Sequence, residues 1–281
     1  MHAERALLLT GTPLQNDLHE LWALLNFLFP DVFPDSTAFD DAFDRGKGGK
    51  QGALAKAHNM MNVLMKRRVK SEVETTLPPR LETKILVPLA ESQRWWYKRL
   101  LLRQSELLDQ LNDPTGGPQT GAWKKLQSLL MQLRKCCNHP FLFRTDAWRV
   151  DESLVRSSGK FLLLDSMLPK LKAAGHRVLL FSQFTMLLDL LEDYIRLREH
   201  SYERLDGSMS QQQRAATLSR FRDDDSVRVM LLSLRAGGEG LNLQQANRIF
   251  VLEPWWNPAV ENQAIQRAHR IGQTRVVRAL D

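Results

Sequence analysis

The residue types best suited to chemistry lie near the C-terminal end, in the stretch ENQAIQRAHRIGQT at 261–274. Gln263, Arg267 and Arg270 fall three and four positions apart, on one face of a helix. A guanidinium is a rigid fork of donors that suits a transferring phosphoryl group, so the two arginines could meet one polyphosphate. The same spacing also serves a solvated, salt-bridged helix, and spacing alone leaves both readings open. Upstream, SLRAGGEGLNL at 233–243 follows the apolar run VRVMLL. Gly237, Gly238 and Gly240 let the backbone approach a phosphate or a nucleic-acid strand closely, although glycine-rich turns after strands are common.

A third stretch, RALLLTGTPLQN at 5–16, opens the chain. Leu7–Leu9 reads as a buried strand running into the turn Thr10-Gly11-Thr12-Pro13. Such a turn at a strand end is where a nucleotide motor senses its ligand. The matching phosphate loop, GxxxxGK[ST], does not occur in the sequence. Gly46-Lys47, Gly49-Lys50 and Gly159-Lys160 are followed by Gly48, Gln51 and Phe161, so no hydroxyl is placed for magnesium. DES at 151–153 follows no apolar strand, so it reads as a loop or helix start rather than a metal-holding acidic box.

Two textures must position these residues. From 17 to about 145 the pattern is mainly helical, beginning with Leu18, Leu21, Trp22, Leu25 and Leu28 on one face. Pro30 and Pro34 break that helix, and DRGKGGKQG at 44–52 is a loop. ETKILVPL reads as a strand after the Pro78-Pro79 stop, and two further helices flank the loop NDPTGGPQTG. Residues 146–158 are polar and irregular, which predicts a linker. From 159 to 281, helices alternate with the apolar runs RVLLFSQ, YERL, VRVMLLSL, RIFVLE and RVVRAL. Ser210 and Gln213 make a capping box for one helix. Near-continuous apolar strands separated by helices predict a parallel sheet covered on both faces, with ligands at the carboxyl ends of its strands.

The chain has 281 residues, enough for about two domains. Hydrophobic residues make up 43% and charged residues 25%, as in ordinary globular proteins. A net charge of +7 is compatible with a polyanionic partner without requiring one. The only cysteines are the adjacent Cys136 and Cys137, which imply neither a zinc site nor a disulfide framework and fit a reducing compartment. No apolar run approaches membrane-spanning length, and Glu4 and Arg5 interrupt any signal-peptide pattern.

Together these motifs are far more specific than any one of them. LLLTGTPLQNDLHELWALLNFL, RRVKSEVETTLPPR, LRKCCNHPFLF, SGK, RVLLFSQFT, RLDGSMS, SLRAGGEGLNL and WWNPAVENQAIQRAHRIGQT occur in one order along nearly the whole chain. In this the chain resembles the SWI/SNF-like family of superfamily-two helicase-type ATPases. The wording around LPPRLETKILVPL is nearest the ISWI-like branch, and EPWWNP departs from it.

The resemblance implies an α/β fold: a C-terminal RecA-like parallel-sheet lobe, preceded by helical protrusions and a remnant of a first RecA-like lobe. It implies a division into 1–145, the end of the first lobe with its protrusions; 146–158, a linker; and 159–281, the second lobe. ETKILVPL would return to the first lobe's sheet. By resemblance Thr10, Gly11, Gln15 and Asn16 couple ATP state to DNA. Thr12, Gln183, Asp206, Gly207, Arg235 and Trp256 contact DNA. For Trp256, core packing is an equal alternative. Gly238, Gly240, Asn242 and Gln263 lie about the nucleotide, and Arg267 and Arg270 are the arginine fingers. The implied cofactors are ATP and Mg2+, held mainly by residues upstream of TGTPLQN. The implied partners are double-stranded DNA, nucleosomes or histones and remodelling-complex subunits, with no membrane and a nuclear location. Lys66, Arg67, Arg68 and Lys70 match a segment that packs between lobes, with a nuclear signal or DNA contact as alternatives. A chain with half an active site is expected to show negligible ATPase activity alone. The alternative is a non-catalytic DNA- or partner-binding fragment.

Overall fold

Val178–Ser182, Val229–Ser233 and Arg248–Val251 are short aliphatic runs bounded by polar turns, and each forms a strand buried on both faces. They are β2, β4 and β5 of a parallel sheet in the computed structural model, which describes residues 6–10, 18–37, 39, 59–68, 70–74, 76–104, 122–143, 148–237 and 240–281. Among these residues, β1 (Arg80–Thr83), β3 (Tyr202–Leu205) and β6 (Val277–Leu280) complete the sheet in the order β1-β6-β5-β2-β4-β3. Every neighbouring pair is parallel, and Leu180 stands in register with both Leu231 and Phe250.

Alternation along the strands sends two sets of side chains to opposite faces. Val178, Leu180, Leu231 and Phe250 pack with Phe161, Leu164 and Leu168 of α5 (Gly159–Ala173) and with Leu187, Leu191 and Tyr194 of α6 (Thr185–Leu197). Leu179, Phe181, Met230 and Ile249 pack on the other side with Phe221 of α7 (Gln211–Asp223) and Ala264 of α9 (Pro258–Ile265). The expected capping box is present: Ser210 Oγ accepts from Gln213 N–H at 3.3 Å, and Gln213 Oε1 accepts from Ser210 N–H at 2.9 Å.

Two expectations are corrected here. ETKILVPL does not return to a separate sheet; the strand lies at Arg80–Thr83 and pairs with β6. The ladder runs on beyond it, Asp281 N–H donating to Thr83 O at 3.2 Å and Ile85 N–H to Asp281 O at 2.7 Å. The edge of β6 supplies the backbone partners that a lone strand lacks. Residues 148–158 are no loose linker. Asp151 caps α4 (Glu152–Arg156), accepting from Ser153 N–H at 2.8 Å. Leu154 and Val155 join the core, and Trp148 Nε1–H donates to Asp193 at 2.8 Å.

The helices α2 (Glu91–Leu102) and α3 (Ala122–Asn138) belong to the same compact unit, Leu77–Asp281. Buried Gln93 ties them to each other and to the start of α5. Its Nε2 donates to Cys136 O at 2.8 Å and Cys137 O at 3.0 Å, while its Oε1 accepts from Ala90 N–H and Gly159 N–H, both at 3.0 Å. Burial pushes the Cys136 thiol up to about 12, with the neighbouring Cys137 adding to the shift.

A second compact unit comprises Met1–Thr76. The predicted helix is present as α1 (Leu18–Leu28), with Leu21 and Leu25 buried against Phe39 and flanked by Trp22, Phe33, Met60 and Met61. Leu7–Leu9 is not a buried strand: Leu7 is 82% and Leu9 90% exposed. Among the described residues of this unit no strand is present for it to pair with, and an unpaired apolar strand has nothing to bury against. Lys66, Arg67, Arg68 and Lys70 are exposed.

Candidate functional site

At the carboxyl edge of the sheet a buried carboxylate organises the turns. Glu253, just past β5 and 3% exposed, accepts from Ser182 Oγ–H and Gln183 N–H, both at 2.6 Å. Gln183 Nε2 returns a bond to Glu253 O at 3.1 Å. Lys160 reaches in from α5, donating to Asn138 Oδ1 at 2.7 Å and also to Leu252 O. Burial drives the Glu253 carboxyl above and the Lys160 ammonium below their ordinary values, and each charge partly opposes the other's shift. Gln183 is thus held at the end of β2, as expected. Glu253 was missed; its signal is an acidic residue terminating the apolar run RIFVLE.

The next turn carries the tryptophans. Arg134 of α3 lies over both Trp255 and Trp256, 5.0 and 4.7 Å from their ring centroids, and donates to Pro254 O at 2.7 Å. Trp256 is 64% exposed, so core packing is ruled out for it. Asn257 then caps α9, accepting from Ala259 N–H at 3.0 Å.

Asp206 and Gly207 follow β3. Asp206 is buried; its Oδ1 accepts from Ser208 N–H at 2.9 Å and Ser208 Oγ–H at 2.6 Å, and its Oδ2 from Arg204 at 2.9 Å. Burial alone raises its pKa, but these hydrogen bonds outweigh burial and hold the carboxyl below its usual range. Asp206 shapes the turn, and Gly207 is the exposed member of the pair.

The regular helix expected to carry both arginines stops at Ile265. Gln263 is on α9, whereas Arg267 and Arg270 lie in the tight turns that follow. Those turns are clamped to the loop after β4. Leu243 N–H donates to Arg267 O at 3.0 Å. Buried Gln273 sends its Nε2 to Gln244 O and Ala246 O, each at 2.9 Å, and to Ala268 O at 3.1 Å. Gly272 has φ 97°, and a Cβ there would meet Gln244 Oε1 at 2.8 Å. Gln273 and Gly272 were missed as positioning residues; the signal was the GQ that follows the second arginine. Gly240 takes the left-handed φ of 57°, and both it and Asn242 are exposed on this loop. Arg267 is half-buried and Arg270 exposed; burial, then the charge of Arg270, lowers the Arg267 pKa.

Arg235 lies on the single turn α8 (Leu234–Gly237), its side chain outside the described part. Thr10 is in irregular backbone, and Gly11, Thr12, Gln15, Asn16 and Gly238 lie outside the described residues.

Residues 1–142 match the SNF2-related domain, and residues 159–272 match the helicase conserved C-terminal domain. The chain belongs to the SNF2-related family of helicase-type ATPases. It is 45% identical over 280 residues to the human SWI/SNF-related matrix-associated actin-dependent regulator of chromatin subfamily A member 1, a match covering 97% of this chain and 26% of that protein. It is 43% identical to the ISWI chromatin-remodeling complex ATPase ISW2 of Saccharomyces cerevisiae, covering 98% of this chain and 25% of ISW2. The chain is thus ISWI-related and spans about a quarter of the length of these relatives. Among solved structures it resembles the Sulfolobus solfataricus SWI2/SNF2 ATPase core in complex with dsDNA, with TM-score 0.59 and 27% identity over 96% of this chain and 56% of that one. The sheet with its flanking helices is a RecA-like lobe.

For an SNF2-related ATPase the phosphates of the nucleotide must meet cationic side chains. Arg267, its pKa lowered by burial and then by the charge of Arg270, offers with Arg270 two guanidinia of the kind that suit the oxygens of a terminal phosphate. Among the described residues no three His, Cys, Asp or Glu side chains converge to hold a metal. No described helix is long and apolar enough to cross a membrane.

Proposed function

We propose that this chain is the C-terminal part of an ATP-dependent DNA translocase of the chromatin-remodelling type, working in the nucleus on nucleosomal double-stranded DNA. The carboxyl edge of the RecA-like sheet meets the DNA through Gln183, Gly207, Arg235 and the exposed Trp256. Arg267 and Arg270 address the γ-phosphate of ATP, and Gly238, Gly240, Asn242 and Gln263 border the nucleotide. Thr10, Gly11, Thr12, Gln15 and Asn16 couple the nucleotide state to DNA. The phosphate cradle and the magnesium ligands come from another part of the motor, since this sequence has no GxxxxGK[ST] loop.

The observation that carries this reading is the clamp between the turns bearing Arg267 and the loop bearing Asn242, through Leu243 and Gln273. It holds arginine and loop as one rigid edge, as phosphoryl transfer requires of groups that act by position and charge alone. ATP supplies the transferable phosphoryl group; the arginines neutralise charge developing on its oxygens. The test is ATP turnover with and without duplex DNA. The 281-residue chain alone is expected to show negligible turnover, and a DNA-stimulated rate from it would overturn the half-site reading. Joined to the first lobe of an ISWI relative, it is expected to turn over ATP, and Arg267→Ala to lower kcat by about 10³-fold or more.

A further inference from the structure

The opposite edge of the sheet, where the strands begin, carries a second group of cations. Arg248 opens β5 and Arg278 lies on β6, and the two are direct register partners. Arg275 precedes β6, and His176 precedes β2. Arg248 is half-buried and donates to Asn247 O at 2.8 Å, to Val276 O at 3.1 Å and to His176 Nε2 at 2.9 Å. A guanidinium has no acceptor, so that ring nitrogen must accept, and His176 is neutral. Burial, then the charges of Arg248, Arg275 and Arg278, lowers the His176 pKa in the same sense.

Arg275 donates to Gly175 O at 2.8 Å, just past the carbonyl end of α5, where a cation is favoured. Among the described residues, none of these three guanidinia pairs with a carboxylate. Arginines elsewhere on the lobe differ. Arg177 meets Asp225 at 2.7 Å, Arg198 holds Glu152 and Asp165, and Arg204 holds Asp189, Glu192 and Asp206. Like charges facing each other across a strand pair repel. An edge that gathers three arginines, none paired with a carboxylate among the described residues, is suited to an anion arriving from outside.

We propose that Arg248, Arg275 and Arg278 form a phosphate-binding site at the strand-entry edge, and that it grips the backbone of a second stretch of DNA. Five-residue β2 separates the two edges by roughly 17 Å, so this site and the carboxyl edge engage different stretches. The choice of DNA over a free phosphate compound rests on the proposed function; the anion site does not.

The test is anisotropy of a labelled short DNA duplex titrated with the 281-residue chain over a salt series. Changing all three residues, R248Q/R275Q/R278Q, is expected to reduce the magnitude of the log–log salt slope by about 2–3, near one unit per lost phosphate contact. R94Q/K98Q/R156Q removes the same charge from exposed positions and is expected to leave the slope unchanged. In low salt without DNA, pyrophosphate is expected to raise the melting temperature of wild type and to leave that of the triple arginine variant unchanged. An unchanged slope with pyrophosphate protection overturns DNA as the source of the phosphates. An unchanged slope without protection, or equal losses in both triple variants, overturns the site. A duplex released by the strand-entry changes but indifferent to Gln183→Ala and Trp256→Ala would sink the carboxyl-edge reading and leave this one standing.

Discussion

The two compact units bury their apolar residues in opposite ways. In Leu77–Asp281 a six-stranded sheet is sealed on both faces, and Leu179, Leu180, Leu188, Leu231 and Tyr194 are fully buried. In Met1–Thr76 the described core is Leu21, Leu25 and Phe39, while Leu7, Leu9, Phe27, Val32 and Val63 are exposed. Both regions are rich in apolar residues. Among the described residues the difference is whether a strand has backbone partners: a sheet supplies each strand's hydrogen bonds and two covered faces together, and a lone apolar run gains neither. Apolar content is therefore a poor guide to stability when the pairing strands are not at hand.

Hydrogen exchange is the largest test of that contrast. Amides of β2 and β4 are expected to exchange slower than those of α1 by about 10³-fold or more, since core strands open only near the global unfolding free energy. The step in protection is expected between Thr76 and Leu77. The Ile85 amide, bonded to Asp281 O, is expected on the slow side. Equal protection of α1 and β2 would break the comparison, and a step at 145 or 158 would restore the division read from the sequence.

Truncating one leucine in each unit comes next. Leu180→Ala empties a site walled by Leu231 and Phe250 and is expected to cost about 3–5 kcal/mol in urea unfolding. Leu21→Ala is expected to cost about 2 kcal/mol or less, at the low end for leucine truncation, because so small a cluster collapses readily, and to leave exchange in β2 and β4 unmoved. A change in β2 protection on Leu21→Ala would show that the units are not independent.

Much of the Leu77–Asp281 unit, and α1 of the other, was legible because the signals are periodic. Five apolar runs, α1 and the Ser210–Gln213 capping box all sit where pattern places them. What failed was long-range. Nothing local in RLET says that it pairs with VRAL almost 200 residues later. The linker reading failed because Leu154 and Val155 are two apolar residues in a polar stretch, too few to show a period. At the site, Gln183, Gln263, Arg267 and Arg270 came from motifs, whereas the residues that hold them came from geometry alone. Glu253 and Gln273 act through buried hydrogen bonds to backbone atoms distant in sequence, and no spacing rule encodes those.

The buried carboxylate offers a smaller and more pointed test. Glu253→Gln keeps the shape but weakens acceptance from Ser182 and Gln183, with an expected cost of about 1–2 kcal/mol at neutral pH. Because the folded carboxyl is raised, its contribution to stability is full below the ordinary value of 4.5 and is lost as pH rises through the elevated one. The wild-type advantage over Glu253→Gln is therefore expected to widen as the pH falls from neutral toward 4.5. Asp206, held low, has the opposite slope: its contribution is present above 3.8 and lost as pH falls through its depressed value. Denaturation of wild type, Glu253→Gln and Asp206→Asn across that range separates the two, and parallel pH curves for wild type and Glu253→Gln would remove Glu253 as a buried acid.

The smallest effect bears on the boundary itself. Arg134 lies on α3, in the stretch that the sequence pattern assigned to the chain's first half, yet its guanidinium covers Trp255 and Trp256 of the second. If α3 is fixed to the sheet edge, Arg134 and Trp256 share a free energy, although Trp256 is too exposed for either truncation alone to cost much. A double-mutant cycle of Arg134→Ala and Trp256→Ala is expected to give a coupling of about 0.5–1 kcal/mol in the stability of the Leu77–Asp281 unit. Arg134→Lys is expected to lose most of that coupling, because an ammonium lacks the flat face that stacks on an indole. A coupling of zero would detach α3 from the carboxyl edge and move the start of the sheet-bearing unit from Leu77 toward 159, leaving Trp256 exposed with no cation above it.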